Sequence, residues 1–507
     1  MQRVAALVPC ASVVAVVAAH VLVASVALAQ VPSTRRGLPV VTDSVRMLPG
    51  IALTFDAFFD IVGRNHPVVR QARLLEAGAD GDVTAAFGNF EPKIEAAWET
   101  KRFESSVTGS QSLYFNYADV AVKIPTPFGP DFKIGYERAS GRFINPQRTT
   151  PGNGLFYAGF SLPIGQRLLT DERRTALRTA RALRDVAQAE RAAMTNKLLF
   201  SASKTYAVWF ESALQLQVIR DGVRLADLRY VAITGRVRAG DAAGIDSIEA
   251  AAELNRRRAQ LVGAEQGYFA ASMDLTSYLW DTRGQPVELR PNTVPSDSGL
   301  GRVVLDSASV PALLARVIRL HPDVRKAEGK VVQTNAERAL ARQAMIPLVS
   351  ADLAALSTVG GADFNFGDAA GREGNYKGAI NVSSPLLFFK ERGKFRSTDA
   401  KFDRAELEAR ETRRDVVLLV RTAINDLSQF EAQLALQRDA VRLFRILSAG
   451  ERAKFDAGES NLFLVNTRER QVLDEELKFV ALQAKYLAAR AALAVAAGAP
   501  GRLPELR

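Results

Sequence analysis

Two residues invite a chemical reading first. His66 and His321 each carry an imidazole that could bind a metal ion or move a proton. Their settings, "NHPVVRQA" and "LHPDVRKA", are copies of one another, 255 positions apart (321 minus 66). Each stands before proline at the start of a helical pattern, where a side chain that accepts a hydrogen bond from a free backbone N–H is favoured. They therefore read as two caps rather than one site. A second pair, Asp246 and Glu249, lies three residues apart, on one face of a helix. Asp246 reads equally well as a helix N-cap. The sequence contains no nucleophile triad, no clustered metal ligands and no glycine-rich phosphate loop. It therefore points to no catalysis, no metal and no cofactor.

The histidine copies belong to a longer repeat. Aligned without a gap, Val69-Arg70 falls on Val324-Arg325, Ala72 on Ala327, Pro92 on Pro347 and Ala96 on Ala351. With a shift of 218 (441 minus 223), Val223-Arg224-Leu225 falls on Val441-Arg442-Leu443, and Ala239-Gly240 falls on Ala457-Gly458. Tyr268, Ala271 and Leu275 likewise fall on Tyr486, Ala489 and Leu493. This period is far too long for a solenoid, so the chain reads as one duplicated unit. Residues 51–281 form the first repeat and 309–498 the second. Between them, 282–308 is a linker rich in Pro, Gly and Ser that reads as surface. Residues 30–50 form an N-terminal linker and 499–507 a C-terminal tail.

Each repeat predicts long helices. Leu473, Leu477, Val480, Ala484, Leu487 and Ala491 step by four and three, as do Leu261, Ala264, Tyr268, Ala271 and Leu275, which is a heptad seam. From Glu391 to Gly450 no proline interrupts, and Thr170 to Arg220 is similar. At 1.5 Å per residue the former stretch would run to about 90 Å. Strands are expected ahead of these helices, at about 92–103 and 155–163, and at about 347–356 and 375–385. Ile94, Ala96, Trp98 and Thr100 alternate with polar neighbours, in register with Val349, Ala351, Leu353 and Ala355. Ten-residue segments with one apolar face suit either a membrane β-barrel or a half-buried soluble sheet.

The ends and the composition narrow the choice. Met1-Gln2-Arg3, the apolar run to Leu28 and Ala27-Leu28-Ala29 predict a cleaved signal peptide over 1–29. The only cysteine, Cys10, falls inside it, so the exported chain would fold without disulfides. Removing Arg3 leaves +10 of the +11 net charge. Its Lys and Arg are interleaved with Glu and Asp along helical stretches, which describes a solvated face rather than a nucleic-acid surface. No later stretch approaches 18 uncharged apolar residues, so insertion in a membrane would go through β-strands. Four strands are too few to close a barrel alone.

Taken together, "LTFDAFFDIVGRNHPVVRQA", "SLPIGQRLLTDERRTALRTAR", "VRAGDAAGIDSIEAAAELNRRRAQL", "FDAGESNLFLVNTRERQVLDEEL" and "YLAARAALAVAAG" resemble the TolC-type outer membrane efflux proteins. The resemblance implies a mainly helical fold with transmembrane β-structure. It implies a homotrimer whose 12-stranded barrel takes four strands from each subunit and continues into a periplasmic α-helical barrel. It also implies a passive exit duct in the outer membrane of a Gram-negative bacterium. Such a duct serves tripartite efflux or type I secretion, with a periplasmic adaptor and an inner-membrane transporter as partners and outer membrane lipid around it.

The resemblance also places function at the turns Gly235 to Asp246 and Asp456 to Asn466. Asp246 and Glu249 would form a carboxylate ring at the pore, with Phe463 and Asn466 as the gate candidates of the second hairpin. Leu464 and Thr467 stand where relatives carry acids. Gly240 and Gly458 would turn the backbone, and Arg236 and Lys454, at matching positions, would meet an adaptor. Residues 104–150 exceed one loop and read either as an extra hairpin outside the cell or as an extension of the barrel wall. A soluble periplasmic coiled-coil scaffold or adaptor is the alternative reading.

Overall fold

The computed structural model describes residues 46–47, 52–104, 112–142, 148–168, 170–290, 293–296, 307–358 and 375–498. The expected signal peptide (1–29), nearly all of the 30–50 linker and the 499–507 tail lie outside the described residues. The elements run in the same order twice. The first series is α1 (Phe55–Asn65), α2 (Pro67–Phe87), strands β1 (Lys93–Glu104), β2 (Ser112–Pro125), β3 (Asp131–Arg142) and β4 (Leu155–Pro163), then α3 (Glu172–Ala239) and α4 (Gly244–Thr276). The second is α5 (Val310–Leu320), α6 (Pro322–Gln343), β5 (Leu348–Thr358), β6 (Tyr376–Ser383), α7 (Phe389–Asp456) and α8 (Leu462–Ala496).

Helices α3 and α7 have 68 residues each, which at 1.5 Å per residue is about 100 Å. Both continue past the expected stretches, because nothing stops them before Gly240 and Gly458. Side chains cap two of the four long helices. Asp171 Oδ1 accepts the Arg174 N–H at 2.7 Å to cap α3, and Asn461 Oδ1 accepts the Leu464 N–H at 2.9 Å to cap α8. Both histidines cap as well: Nδ1 of His66 accepts from Val68 N and Nδ1 of His321 from Asp323 N, each at 3.2 Å. Burial lowers both imidazole pKa values, partly opposed at His321 by Asp323. The neutral ring, the only form that can accept, is thereby favoured.

The two cores are built from matching positions. Phe58, Val62 and Val69 are buried in the first, and Leu313, Val317 and Val324, each 255 residues on, in the second. Trp209 and Leu427 are also counterparts, as are Leu275 and Leu493. The first core is aromatic, with Tyr206, Trp209 and Phe210 around Phe58; the second is aliphatic apart from Tyr486. The linker after α4 is not wholly superficial: Val287 and Leu289 are buried in the first core while Glu288 and Arg290 face out. That alternation draws the chain inward despite its Pro and Gly content.

Among the described residues helix α8 alone comes near a membrane span in length and composition. It is long and apolar enough by composition to cross a membrane, but half of that stretch is buried. Ala484, Leu487, Ala491 and Leu493 are covered by the neighbouring helices, and Lys485 and Arg490 interrupt the run. Its apolarity serves helix packing.

The sheet is an antiparallel meander in the order β1-β2-β3-β4-β5-β6. The four strands expected from the repeat are all present. The sheet holds more than these four: β2 and β3, from the 104–150 segment, make six among the described residues. That segment alternates apolar and polar residues as regularly as its neighbours do, and Thr126 to Pro130 makes the turn, where the Thr126 hydroxyl donates to Pro130 O at 2.6 Å. Side chains alternate between the two sides of a strand, so the register sorts the sheet into two faces. Ile94, Trp98, Val122, Ile134, Phe160 and Leu353 share one. Glu95, Asp119, Lys133, Ser161 and Asp352 share the other.

Candidate functional site at the helix tips

At their far ends α3 turns into α4 and α7 into α8. Both turns use the same backbone device. Gly240 and Gly458 adopt φ of +83° and +80°, the left-handed region that glycine enters without steric cost. Asp241 N then donates to Arg236 O and Glu459 N to Lys454 O, each at 2.8 Å, closing the helix end as a Schellman motif. Arg236 and Lys454 thus match in backbone role as well as in position. A Cβ at either glycine would meet nothing within 4 Å, so substitution costs backbone strain alone. Gly458→Ala should cost about 1 kcal/mol locally. That would show as roughly fivefold faster hydrogen exchange of the amides around the turn, with the core unaffected.

The predicted residues separate into two groups. Glu249 and Asn466 come together: Asn466 Nδ2 donates to Glu249 Oε1 at 3.0 Å, although 217 residues separate them. Asn466 is 3% exposed. Asp246, Phe463, Arg236 and Lys454 stay at the surface or near it. Asp246 is the third residue of α4, whose cap is Ala243, and no side chain caps this helix. Phe463 is 59% exposed in the first turn of α8, and its counterpart Ile245 is 66% exposed. The Arg236 guanidinium lies 5.4 Å from the centre of the Phe455 ring, a cation–π contact across the two hairpins.

The group that joins the hairpins was not foreseen. Arg229 on α3 makes a two-pronged ion pair with Glu469 on α8. Arg229 Nη1 also donates to Asn466 Oδ1 at 3.2 Å, and Arg452 on α7 donates to Glu469 Oε1 at 2.7 Å. One continuous polar network therefore links Glu249, Asn466, Arg229, Glu469 and Arg452, and touches all four tip helices. Beneath it, Ile233, Ala250 and Leu462 form a small buried apolar cluster. Burial alone would raise the Glu469 carboxyl, but hydrogen bonds and charge from Arg229, then Arg452, outweigh it and hold the pKa below the usual carboxylate range. A signal for this pair did exist in the sequence. The counterparts of Arg229 and Glu469 under the 218-residue shift are Leu447 and Ala251, so the pair is a place where the two copies disagree.

This arrangement holds two helical hairpins together at one end with a fork-and-carboxylate latch. Above the latch, Glu253, Arg257, Ser448 and Leu473 help line a cavity of about 270 Å³. Among the described residues no group of three or more His, Cys, Asp or Glu is placed to hold a metal ion.

The sequence of residues 313–499 matches the family model described as "Outer membrane efflux protein". Comparison with curated proteins gives no match. Among solved structures, the chain is similar to the Campylobacter jejuni CmeC outer membrane channel, with a TM-score of 0.59 at 14% identity, over 88% of this chain and 85% of that one. It is similar to the open state of the Neisseria gonorrhoeae MtrE outer membrane channel, with a TM-score of 0.62 at 15% identity, over 91% and 94%. For the outer membrane protein VceC of Vibrio cholerae the TM-score is 0.58 at 14% identity, over 88% and 97%. Residues 313–499 thus match the outer membrane efflux protein family model, and the chain shares its fold with these outer membrane channels.

Proposed function

We propose that three copies of this chain form the exit duct of an efflux or secretion system in the outer membrane of a Gram-negative bacterium. The observation that carries this reading is the sheet. One of its faces is apolar and exposed, with Ile94 at 62%, Trp98 at 69% and Ile380 at 76%, and the other is polar. It sits on helices about 100 Å long. Exposed apolar surface on that scale marks contact with a partner or a membrane, and the polar face on the reverse side suits a water-filled lumen.

In this reading the repeats 51–281 and 309–498 give each copy two helical hairpins, so that three copies complete a tube with pseudo-sixfold symmetry. The helix tips lie at the periplasmic end. There a ring of Asp246 carboxylates would face the pore, with Glu249 and Asn466 inside the latch that keeps the hairpins together. Phe463 and Ile245 would present an apolar rim. A periplasmic adaptor would dock around Arg236, Gly240, Lys454 and Gly458, and an inner-membrane transporter would supply the energy. The work of this chain is conduction.

Fractionation with sizing tests the reading. The protein should remain in the outer-membrane fraction through carbonate extraction, and run as a trimer in detergent. Recovery as a soluble monomer would end it and favour a periplasmic scaffold.

A further inference from the structure

We propose that the β2–β3 hairpin is part of the membrane wall itself, so that three copies close a barrel of 18 strands instead of 12. This rests on the trimeric channel reading, and three times the six strands of one copy gives the number.

The hairpin cannot be removed from the sheet without dismantling it. Strand β1 pairs only with β2 among the described residues, over twelve residue pairs from Lys93↔Lys123 to Glu104↔Ser112. Strand β3 in turn joins β4, from Asp131↔Ser161 to Glu137↔Leu155. The fit is close on both sides. Gly135 lies opposite Tyr157, and a Cβ there would come within 2.6 Å of the tyrosine ring and within 2.7 Å of Ala121 Cβ on β2. Glycine at this point leaves space for the aromatic side chain of the adjoining strand, so β3 is shaped to lie beside β4.

The hairpin also continues both faces without a break. Val122 (39% exposed), Phe132 (44%) and Ile134 (55%) extend the apolar face between Trp98 on one side and Phe160 on the other. On the reverse face Tyr117 donates to Glu137 at 2.8 Å, Tyr157 to Asp119 at 2.7 Å, and Lys133 to Asp119 at 3.3 Å. Such charged and hydroxylated groups belong towards water, and the apolar face towards lipid. A hairpin projecting beyond the membrane would have no use for a lipid-ready face. With 14 and 12 residues, both strands exceed the roughly 9–11 needed to cross a bilayer at a tilt.

Closure follows from the edges. Among the described residues β1 and β6 end the sheet, and each leaves a row of backbone groups that lipid cannot satisfy. Since six antiparallel strands are an even number, β6 of one copy and β1 of the next run in opposite directions and can pair. The partner for each edge is therefore a second copy of this chain. Using strand spacing of about 4.8 Å and tilt of about 40°, 18 strands give a backbone diameter of roughly 36 Å, against roughly 24 Å for 12. The wall would be wide enough for an open aqueous lumen, comparable to that of large porins.

Single cysteines placed in a Cys10→Ala background test this in proteoliposomes containing brominated lipid. A fluorophore at Val122→Cys or Ile134→Cys should lose most of its emission, as should the controls Ile94→Cys and Ile380→Cys, while one at Lys133→Cys should not. Quenching at 94 and 380 without quenching at 122 and 134 would overturn the proposal and leave the channel intact. Quenching at none of the four would overturn the channel reading with it. A strand count by electron microscopy of the trimer in nanodiscs checks the number directly: 18 is expected, and 12 refutes it.

Discussion

Arg229→Ala should release the helix tips, at a cost of about 3 kcal/mol, because it leaves a buried carboxylate with the partly exposed Arg452 as its one remaining cation. The side chains of Arg229 and Glu469 are only 13% and 11% exposed, so the pair falls outside the regime of weak surface bridges. The same substitution removes the Arg229 hydrogen bond to Asn466 and leaves that side chain held by Glu249 alone. Each 1.4 kcal/mol is a factor of ten in an equilibrium, so a closed state would lose about a hundredfold of its advantage. Single-channel recording in planar bilayers should show a larger and longer-lived conductance. Arg229→Lys should recover part of the closure, since an ammonium restores charge but not the two-pronged geometry. Arg229→Ala with Glu469→Ala should be less open than Arg229→Ala alone. Unchanged conductance in all three would show that the latch does not restrain the pore.

The same pair sets an acid threshold. Glu469 has a folded pKa below its ordinary value of 4.5, so it titrates at lower pH in the latch than in a released tip. Its stabilisation is complete above about the ordinary carboxylate pKa and is lost as pH falls towards and through the lower folded value. Conductance should stay flat from about pH 8 to about pH 5 and rise in stronger acid. Glu469→Gln should abolish that rise.

The parts of this protein that repeat were legible in its sequence. Phe58 and Leu313, Val62 and Val317, and Tyr268 and Tyr486 stand at the places their alignment assigns, because burial on a helix follows a period that spacing reveals. The histidine caps were legible for the same reason. What the copies do not share was harder to see. β2 and β3 have no counterpart among the described residues of the second repeat, so no register supported them, although Val120, Val122 and Ile124 alternate as plainly as Ile94, Ala96 and Trp98. The latch was hidden because its partners lie 240 residues apart and only packing brings them together. Glu249 and Asn466 were singled out individually; nothing in their spacing indicates that they bond to each other. The long helices were expected, but their full reach was set by two glycines at the turns.

Trp209→Ala should be the most damaging change in the helical body, at about 3–5 kcal/mol. The side chain is fully buried, packs its ring 5.5 Å from that of Tyr206 and donates from Nε1 to Ser272 Oγ at 3.0 Å. Losing the indole leaves Ser272 still bonded, through its hydroxyl, to Tyr268 O at 2.8 Å. The polar loss is therefore small, and the void dominates. Leu427, its counterpart in the second core, offers a controlled comparison. Leu427→Ala removes fewer atoms from a site that is also almost fully buried, so it should fall nearer the lower end of the range of about 2–5 kcal/mol for leucine. Both cores anchor the same type of helical hairpin, so the difference between the variants measures side-chain volume with the architecture held constant. The midpoint of thermal unfolding, followed by circular dichroism, should be lower for Trp209→Ala than for Leu427→Ala. The reverse order would mean that the aliphatic core, not the aromatic one, carries the load of holding the long helices together.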